Sequence, residues 1–223
     1  MLNFNSFVSE FNSWIFIGGN LNWDSPAGGI QLAPFNRKNA KKQLARLKDW
    51  VSTRPNIRIF DGTLEKLPFS AEQFDVVLVS WQLEFAVDME AALGEILRVT
   101  RKTISSRILF IQGAPDNEFI RFLNTTSGLP NVRHQGYLLH FAKEYAARHG
   151  FGKATVSHIK AHYAFPDQDI SKRCRAAVNL LGGNTASMVD KEELFPRLEL
   201  HFRGSEHAIG HNMAMLDMRL TAN

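Results

Sequence analysis

The sequence contains a single cysteine, Cys174, among its 223 residues. One thiol cannot form an internal disulfide, and it cannot assemble a metal site that needs several thiolates. The chain is therefore not a disulfide-stabilised scaffold, and a reducing compartment suffices for it. Cys174 falls in a helical pattern with Ile170, Ala177, Val178 and Leu181, which favours a buried core thiol over a nucleophile.

Long apolar runs are also missing from the sequence. No stretch approaches the ~20 apolar residues that a membrane-spanning helix requires. The amino-terminal stretch MLNFNSFVSEFNSW lacks the basic flank and apolar run of a secretion signal. Hydrophobic residues make up 44% of the chain and charged residues 22%, which is typical of a globular protein. We therefore expect a chain without a membrane segment, located in the cytoplasm.

The positive charge of the chain is modest and locally concentrated. The formal net charge is +4, and much of the local excess lies in the segment 37–48, RKNAKKQLARLK. An apolar stripe lies beneath these charges at helical spacing, which favours a solvated helix face; it consists of Ala40, Leu44, Leu47 and Val51. Contact with a nucleic acid or an acidic substrate remains the alternative.

Short apolar runs alternate with amphipathic helical patterns along the whole chain, which predicts repeated βα units and a mostly parallel sheet. We expect one domain over residues 1–223. The segment 167–200 is long for a connection between the last two strands, so it predicts a helical insertion that is a candidate lid. A helical pair that only completes the core is the alternative. The predicted strands are 14–17, 30–33, 57–60, 74–80, 108–112, 154–165 and 212–220.

The segment 57–112 carries the most specific pattern in the sequence. It contains GTLEKLPF at 62–69, FDVV at 74–77, Leu83-Glu84 and Arg98-Val99. This order and spacing resembles the central half of S-adenosylmethionine (SAM)-dependent methyltransferases of the ubiquinone/menaquinone type. The resemblance implies a Rossmann-like class I methyltransferase fold, α/β, with a seven-stranded mostly parallel sheet and helices on both faces. It also implies SAM as the cofactor and methyl transfer as the reaction.

The resemblance assigns the cofactor to loops at the carboxyl ends of the strands, where open parallel sheets bind ligands. The family's glycine-rich loop and ribose-binding carboxylate are both altered here, with only two glycines in register and Asn36 in place of the acid. An asparagine can still hydrogen-bond a hydroxyl, but without charge assistance. The cofactor-binding residues implied are Gly18, Gly19, Asn20, Asn36, Thr63, Leu64, Ser80, Trp81 and Gln82.

The acceptor is predicted to be a small molecule. Methyltransferases that act on nucleic-acid amino groups end the fourth strand with Asn/Asp-Pro-Pro-Tyr/Phe, whereas this chain has Ser80-Trp81-Gln82, which argues against a nucleic-acid acceptor. The residues predicted to contact the substrate are Trp23, Asp116, Asn117, Gln135 and Tyr137. Asp116 and Asn117 are equally interpreted as turn formers.

His134 is the predicted catalytic residue, because it precedes the helix after the fifth strand and an imidazole titrates near neutral pH. A histidine at a helix start that faces water is the alternative. The remaining histidines lack the spacing of a metal site, so no metal is predicted.

Three functions remain open at this stage. The first is a SAM-dependent methyltransferase of a small molecule (EC 2.1.1 type), with a place in specialised metabolism. The second is an enzyme that uses the SAM pocket for a cyclisation or rearrangement. The third is a methyltransferase-like binding or scaffold protein without activity. A homodimer is compatible with all three.

The two glycines after the first strand generate a direct test. We expect Gly18→Val and Gly19→Val each to abolish SAM binding, because a β-branched side chain would strain the turn and occupy the cofactor's space. Titration calorimetry measures the affinity, and circular dichroism checks that the variants remain folded. Unchanged affinity in natively folded variants would place the cofactor elsewhere.

Overall fold

A computed structural model describes residues 14–17, 29–32, 58–60, 62–126, 136–185, 191–204 and 207–221. The strands are β1 (Trp14–Ile17), β2 (Gly29–Leu32), β3 (Arg58–Phe60), β4 (Val76–Ser80), β5 (Arg107–Gly113), β6 (Lys153–Ile159), β7 (His162–Ala164), β8 (Ala208–Gly210) and β9 (Met213–Arg219). The helices are α1 (Met89–Val99), α2 (Glu118–Thr126), α3 (Gly136–Arg148), α4 (Ile170–Thr185) and α5 (Lys191–Arg203), with a 3₁₀ turn at Leu83–Phe85.

The main sheet has the strand order β3-β2-β1-β4-β5-β9-β6. All neighbours from β3 to β5 pair in parallel, with Trp14 opposite both Gly29 and Val76 and with Ser80 opposite Ile111. The chain builds outward from β1 in one direction and then from β4 in the other. This reversal between β1 and β4 creates the crevice in which open α/β sheets hold ligands. The Rossmann-like α/β fold is confirmed.

Helix α1 shows how local sequence fixes an element of this fold. The Asp88 side chain accepts a hydrogen bond from the Ala91 N–H at 3.0 Å, which caps the first turn. The side chains of Ala92, Leu93, Ile96 and Leu97 are buried. The position of Asp88 and the helical spacing of these apolar residues are both visible in the sequence, so the local sequence is enough to predict this helix.

The chain divides into two compact units. The first comprises residues 1–112, 137–157 and 215–223. Its buried side chains come from the central strands, α1, α3 and the residues that flank them, and include Ile17, Phe74, Leu78, Leu93, Ile96, Phe110, Leu138 and Phe151. Gly150, with φ of 91°, follows α3 and adopts the left-handed conformation that commonly ends a helix.

The second unit comprises residues 113–136 and 158–214. It contains α2, α4, α5 and the antiparallel pair β7-β8, in which His162 lies opposite Gly210. The buried cluster at its centre consists of Phe119, Phe165, Cys174, Ala177, Val178, Leu194, Leu198, Phe202 and Ile209. Cys174 is fully buried there, so its predicted role as a core thiol is confirmed.

The prediction of one unbroken strand over 154–165 is wrong. β6 ends at Ile159 and belongs to the main sheet, whereas β7 begins at His162 and pairs with β8 in a separate sheet. At the break, the Ala161 carbonyl accepts a hydrogen bond from the His211 N–H at 2.7 Å. Alternation of side chains continues across such a break, so the sequence pattern did not reveal it. Helices α4 and α5 occupy most of the segment 167–200, between β7 and β8.

No helix among the described residues is long and apolar enough to cross a membrane.

Burial of the apolar face of α1 generates a stability prediction. Leu93 is 1% exposed, so Leu93→Ala should lower the free energy of unfolding by roughly 2–5 kcal/mol through lost burial and a residual cavity. Urea unfolding followed by circular dichroism measures the change. Ile104→Ala is the matched control because Ile104 is 69% exposed, and it should change stability by less than about 0.5 kcal/mol. Equal losses in the two variants would contradict the assigned core.

Candidate cofactor and acceptor site

The segment 62–69 is fastened to the start of α1 by Glu65. The Glu65 carboxylate accepts hydrogen bonds from the Val87 N–H at 2.7 Å and from the Asp88 N–H at 3.5 Å. Burial raises the pKa of Glu65, but the backbone N–H groups outweigh it and hold the pKa below its usual value. The carboxylate is therefore ionised at neutral pH and holds the loop against the residues that cap α1.

A second clamp joins the same segment to the last turn of α1. The Glu95 carboxylate accepts a hydrogen bond from the Leu67 N–H at 2.8 Å, and Arg98 donates to the Leu67 carbonyl at 3.1 Å and to the Phe69 carbonyl at 2.8 Å. Arg98 also pairs with Glu95, and this contact lowers the pKa of the Glu95 carboxyl. Hydrogen bonds to charged groups are worth roughly 1.5–3 kcal/mol each. The residues of the sequence motif thus fix the loop conformation.

The clamps position Thr63 and Leu64, two of the residues predicted to read the cofactor. Thr63 is exposed and forms an isolated antiparallel bridge with Lys66, whose N–H donates to the Thr63 carbonyl at 3.2 Å. Leu64 is 3% exposed, so its side chain belongs to the core and its backbone is the part that remains for a ligand.

Ser80, Trp81 and Gln82 follow one another at the carboxyl end of β4. Trp81 has φ of 54°, and its N–H donates to the Ile111 carbonyl of β5 at 3.0 Å. A left-handed conformation costs a bulky residue roughly 1–2 kcal/mol, so the surrounding structure imposes it. Such strain concentrates at functional sites. Gln82 is buried and Ser80 half-buried, so the three residues form a preorganised end of the strand.

Gln112 is an unexpected polar residue in the same region of the sheet. It lies near the carboxyl end of β5, one residue beyond the Ile111 that pairs with Ser80, and it is fully buried. Among the described residues, neither Nε2 nor Oε1 of its amide finds a hydrogen-bond partner. Leaving a buried polar group unpaired costs roughly 1–3 kcal/mol. An amide kept at such a position is suited to bind a polar group of a ligand.

A pocket of about 210 Å³ lies between the 3₁₀ turn, the start of α1 and the start of α3. Its described lining consists of one carboxylate, Glu84, and six apolar or aromatic residues: Leu83, Ala86, Met89, Tyr137, Leu138 and Phe141. Tyr137, predicted to contact the substrate, is therefore in the wall of a concave site. Glu84 is not among the predicted site residues, although a carboxylate between the apolar Leu83 and Phe85 is a signal visible in the sequence.

Glu84 has a perturbed carboxyl group. The Glu84 side chain is exposed to solvent, and it lines the pocket together with the apolar residues named above. Partial desolvation by the protein around the carboxyl raises the pKa of Glu84 to about 7. At neutral pH the group is therefore divided between its neutral and ionised forms, which allows it to exchange a proton or to pair with a cation.

Asp116 and Asn117 lie in the second unit. Asn117 is buried, and its Oδ1 accepts from the Ile120 N–H at 2.9 Å while its Nδ2 donates to the Asn212 carbonyl at 2.6 Å. The first of these bonds caps α2. Asp116 is exposed and accepts a hydrogen bond from Asn212 Nδ2 at 2.8 Å. Both residues therefore serve the turn that precedes α2, which supports their interpretation as turn formers.

Seven predicted site residues lie outside the described residues. They are Gly18, Gly19, Asn20, Trp23, Asn36, His134 and Gln135. Of the histidines considered for a metal site, His158 is in β6 and His162 in β7, in two different sheets. No group of three or more potential metal ligands converges within the part of the chain that the structure describes.

The sequence and the fold are both similar to those of known methyltransferases. Residues 29–103, about a third of the chain, match the family model described as a methyltransferase domain. The YcgJ protein of Bacillus subtilis is similar in structure, with 13% identity and a TM-score of 0.54 over 95% of this chain and 93% of that one. No curated protein matches the sequence.

Two further solved structures share the fold. Phosphoethanolamine N-methyltransferase 2 of Haemonchus contortus, crystallised with phosphomonomethylethanolamine and S-adenosylhomocysteine, has 11% identity and a TM-score of 0.53. The match covers 99% of this chain and 53% of that one. The (4+2)-cyclase SpnF has 12% identity and a TM-score of 0.51, over 99% of this chain and 81% of that one.

The protein has the fold of class I SAM-dependent methyltransferases. Its central segment, residues 29–103, carries the methyltransferase domain match of that class, so the resemblance predicted from the sequence is confirmed at this level. The finer assignment to the ubiquinone/menaquinone type stays a prediction.

The raised pKa of Glu84 predicts a pH-dependent contribution to stability. Between pH 4.5 and about 7 the folded state keeps a proton that the unfolded chain releases, so this contribution to the free energy of unfolding is lost as pH rises through 7. Glu84→Gln should match the wild type at pH 4 and gain stability relative to it from pH 5 to 8. Urea unfolding at each pH measures the difference. Glu90→Gln, at an exposed position of α1, is the matched control and should not reproduce this gain. Absence of the gain in Glu84→Gln would contradict the assigned shift.

Proposed function

We propose that the protein is a SAM-dependent methyltransferase that acts on a small molecule. The observation that carries the proposal is the segment 62–69, which matches the methyltransferase domain and is held by Glu65, Glu95 and Arg98 next to the carboxyl ends of the parallel strands. A related fold crystallised with S-adenosylhomocysteine supports SAM as the cofactor.

The described residues fit such a cofactor. The reversal of strand order between β1 and β4 provides the crevice, and the left-handed Trp81 ends β4 beside it. The unpaired amide of Gln112 can bind a polar group of the ligand. We assign Thr63 and the backbone of Leu64 to the adenine, and Ser80, Trp81 and Gln82 to the methionine part. Gly18, Gly19, Asn20 and Asn36 complete the proposed cofactor site.

SAM supplies a methyl group on a sulfonium, which is already an activated leaving group. The protein then needs to align the acceptor atom with the methyl carbon and to exclude water. The apolar pocket beside the 3₁₀ turn can hold the body of a small acceptor, with Tyr137 in its wall. His134 is proposed to accept a proton from the acceptor. Trp23 and Gln135 are secondary candidates for contact with the acceptor, whereas Asp116 and Asn117 are assigned to the turn before α2.

Ligand binding gives the primary test of this function. S-adenosylhomocysteine should bind in titration calorimetry, and at 100 times its Kd it should stabilise the folded state by about 2.7 kcal/mol. ATP serves as the control for nonspecific adenine binding. Absence of heat and of a thermal shift at millimolar S-adenosylhomocysteine would leave a scaffold role. Binding without any transfer of an isotopically labelled methyl group to acceptors would favour a non-methylating reaction.

A further inference from the structure

We propose that the pocket beside the 3₁₀ turn binds an apolar amine in its protonated form, with Glu84 as the partner of the ammonium group. The pocket lies wholly within the first unit, between residues 83–89 and the start of α3. The amine site can be tested without the cofactor, but the step from ligand to methyl acceptor rests on the proposed function.

The walls of the pocket set the apolar character of the ligand. Leucine, alanine, methionine and aromatic side chains supply six of the seven described lining residues. Tyr137 is 52% exposed and Phe141 37% exposed, so two aromatic rings face a region that solvent reaches. Large exposed aromatic side chains around a concavity are characteristic of a binding site.

The volume of the pocket limits the size of the group that it holds. Sites for drug-sized ligands usually span ~300–1,000 Å³, whereas this pocket has about 210 Å³. It therefore fits a single ring or a short aliphatic chain. A larger ligand would leave its remaining part outside the pocket.

The charge of the ligand follows from the lining residues. Glu84 is the only charged side chain among the seven, and Tyr137 of α3 is the only other one that can ionise. An anionic ligand would repel the carboxylate, and a neutral ligand would leave it without a counterion. An ammonium group pairs with the carboxylate and can also contact the faces of Tyr137 and Phe141.

The position of Glu84 is held by the residues on either side of it in the chain. Its neighbour Leu83 is fully buried, and the Phe85 N–H donates to the Gln82 carbonyl at 3.0 Å in the 3₁₀ turn. Three residues further on, Glu65 holds the Val87 N–H. The short segment that carries Glu84 is thus fixed at both ends, which preorganises the carboxylate for a ligand.

Three ligands of the same shape and different charge test the proposal: benzylamine, benzyl alcohol and benzoate. We expect benzylamine to bind at pH 8 at least about tenfold more tightly than the other two, because hydrogen bonds to ionised partners are the stronger ones. Titration calorimetry or ligand-observed NMR measures each affinity. Equal affinities for the three ligands would overturn the proposal.

Substitution of the carboxylate isolates its role. Glu84→Gln should reduce the preference for benzylamine over benzyl alcohol to within about twofold, whereas the matched variant Glu90→Gln should retain it. Phe141→Ala should weaken all three ligands, and Ile104→Ala, at an exposed apolar position away from the pocket, should weaken none. A preference that persists in Glu84→Gln would overturn the assignment.

Proton release on binding distinguishes an ion pair with Glu84 from apolar packing of the ligand, because packing alone releases no proton. In the wild type, benzylamine binding near pH 7 should release a fraction of a proton, since the ammonium group favours the ionised carboxylate. Calorimetry in buffers of different ionisation enthalpy measures this release, which Glu84→Gln should abolish. Affinity for benzylamine should also weaken between pH 8 and pH 5. Absence of both effects would contradict the pairing with Glu84.

Titration with S-adenosylhomocysteine on the same samples separates the two proposals. Glu84→Gln should bind it as the wild type does. Cofactor binding without any preference for the amine would overturn the amine site alone. An amine preference without cofactor binding would overturn the proposed function and support the amine site.

Discussion

The fastening of the segment 62–69 to α1 is the constraint on which the proposed site depends. Glu65 holds the residues just before α1, and Glu95 with Arg98 holds the backbone of Leu67 and Phe69 from within the helix. Each contact joins a charged side chain to backbone groups that lie more than twenty residues away in the chain. Because these bonds fix the loop on the helix, the end of β3 and the start of α1 are held in one arrangement.

This fastening also connects the two halves of the proposed site. The loop that carries Thr63 and Leu64 is assigned to the cofactor, whereas the segment that carries Glu84 and Ala86 lines the apolar pocket. Glu65 joins them through the Val87 N–H. The Glu65 carboxylate of the motif therefore has a structural role and does not bind a ligand. Glu84, which is not among the predicted site residues, lines the pocket instead.

Two buried amide side chains, those of Asn117 and Gln112, differ in the same way. The Asn117 amide forms hydrogen bonds to the Asn212 carbonyl and the Ile120 N–H, so its polar atoms are paired although the residue is buried. Gln112 is equally buried, yet its amide has no partner among the described residues. An unpaired buried amide is costly, and this one lies at the carboxyl edge of the sheet, where the cofactor site is proposed.

The sequence by itself determined the class of fold, most strand positions, the cap and apolar face of α1 and the burial of Cys174, because these follow from short-range periodicity and capping. Only the tertiary structure decided that β6 and β7 separate into two sheets, that the motif acids act as clamps and that Glu84 lies in a pocket. These properties depend on contacts between residues distant in the chain. A carboxylate has the same local sequence signature whether it binds backbone N–H groups or faces a cavity, so its surroundings decide its role.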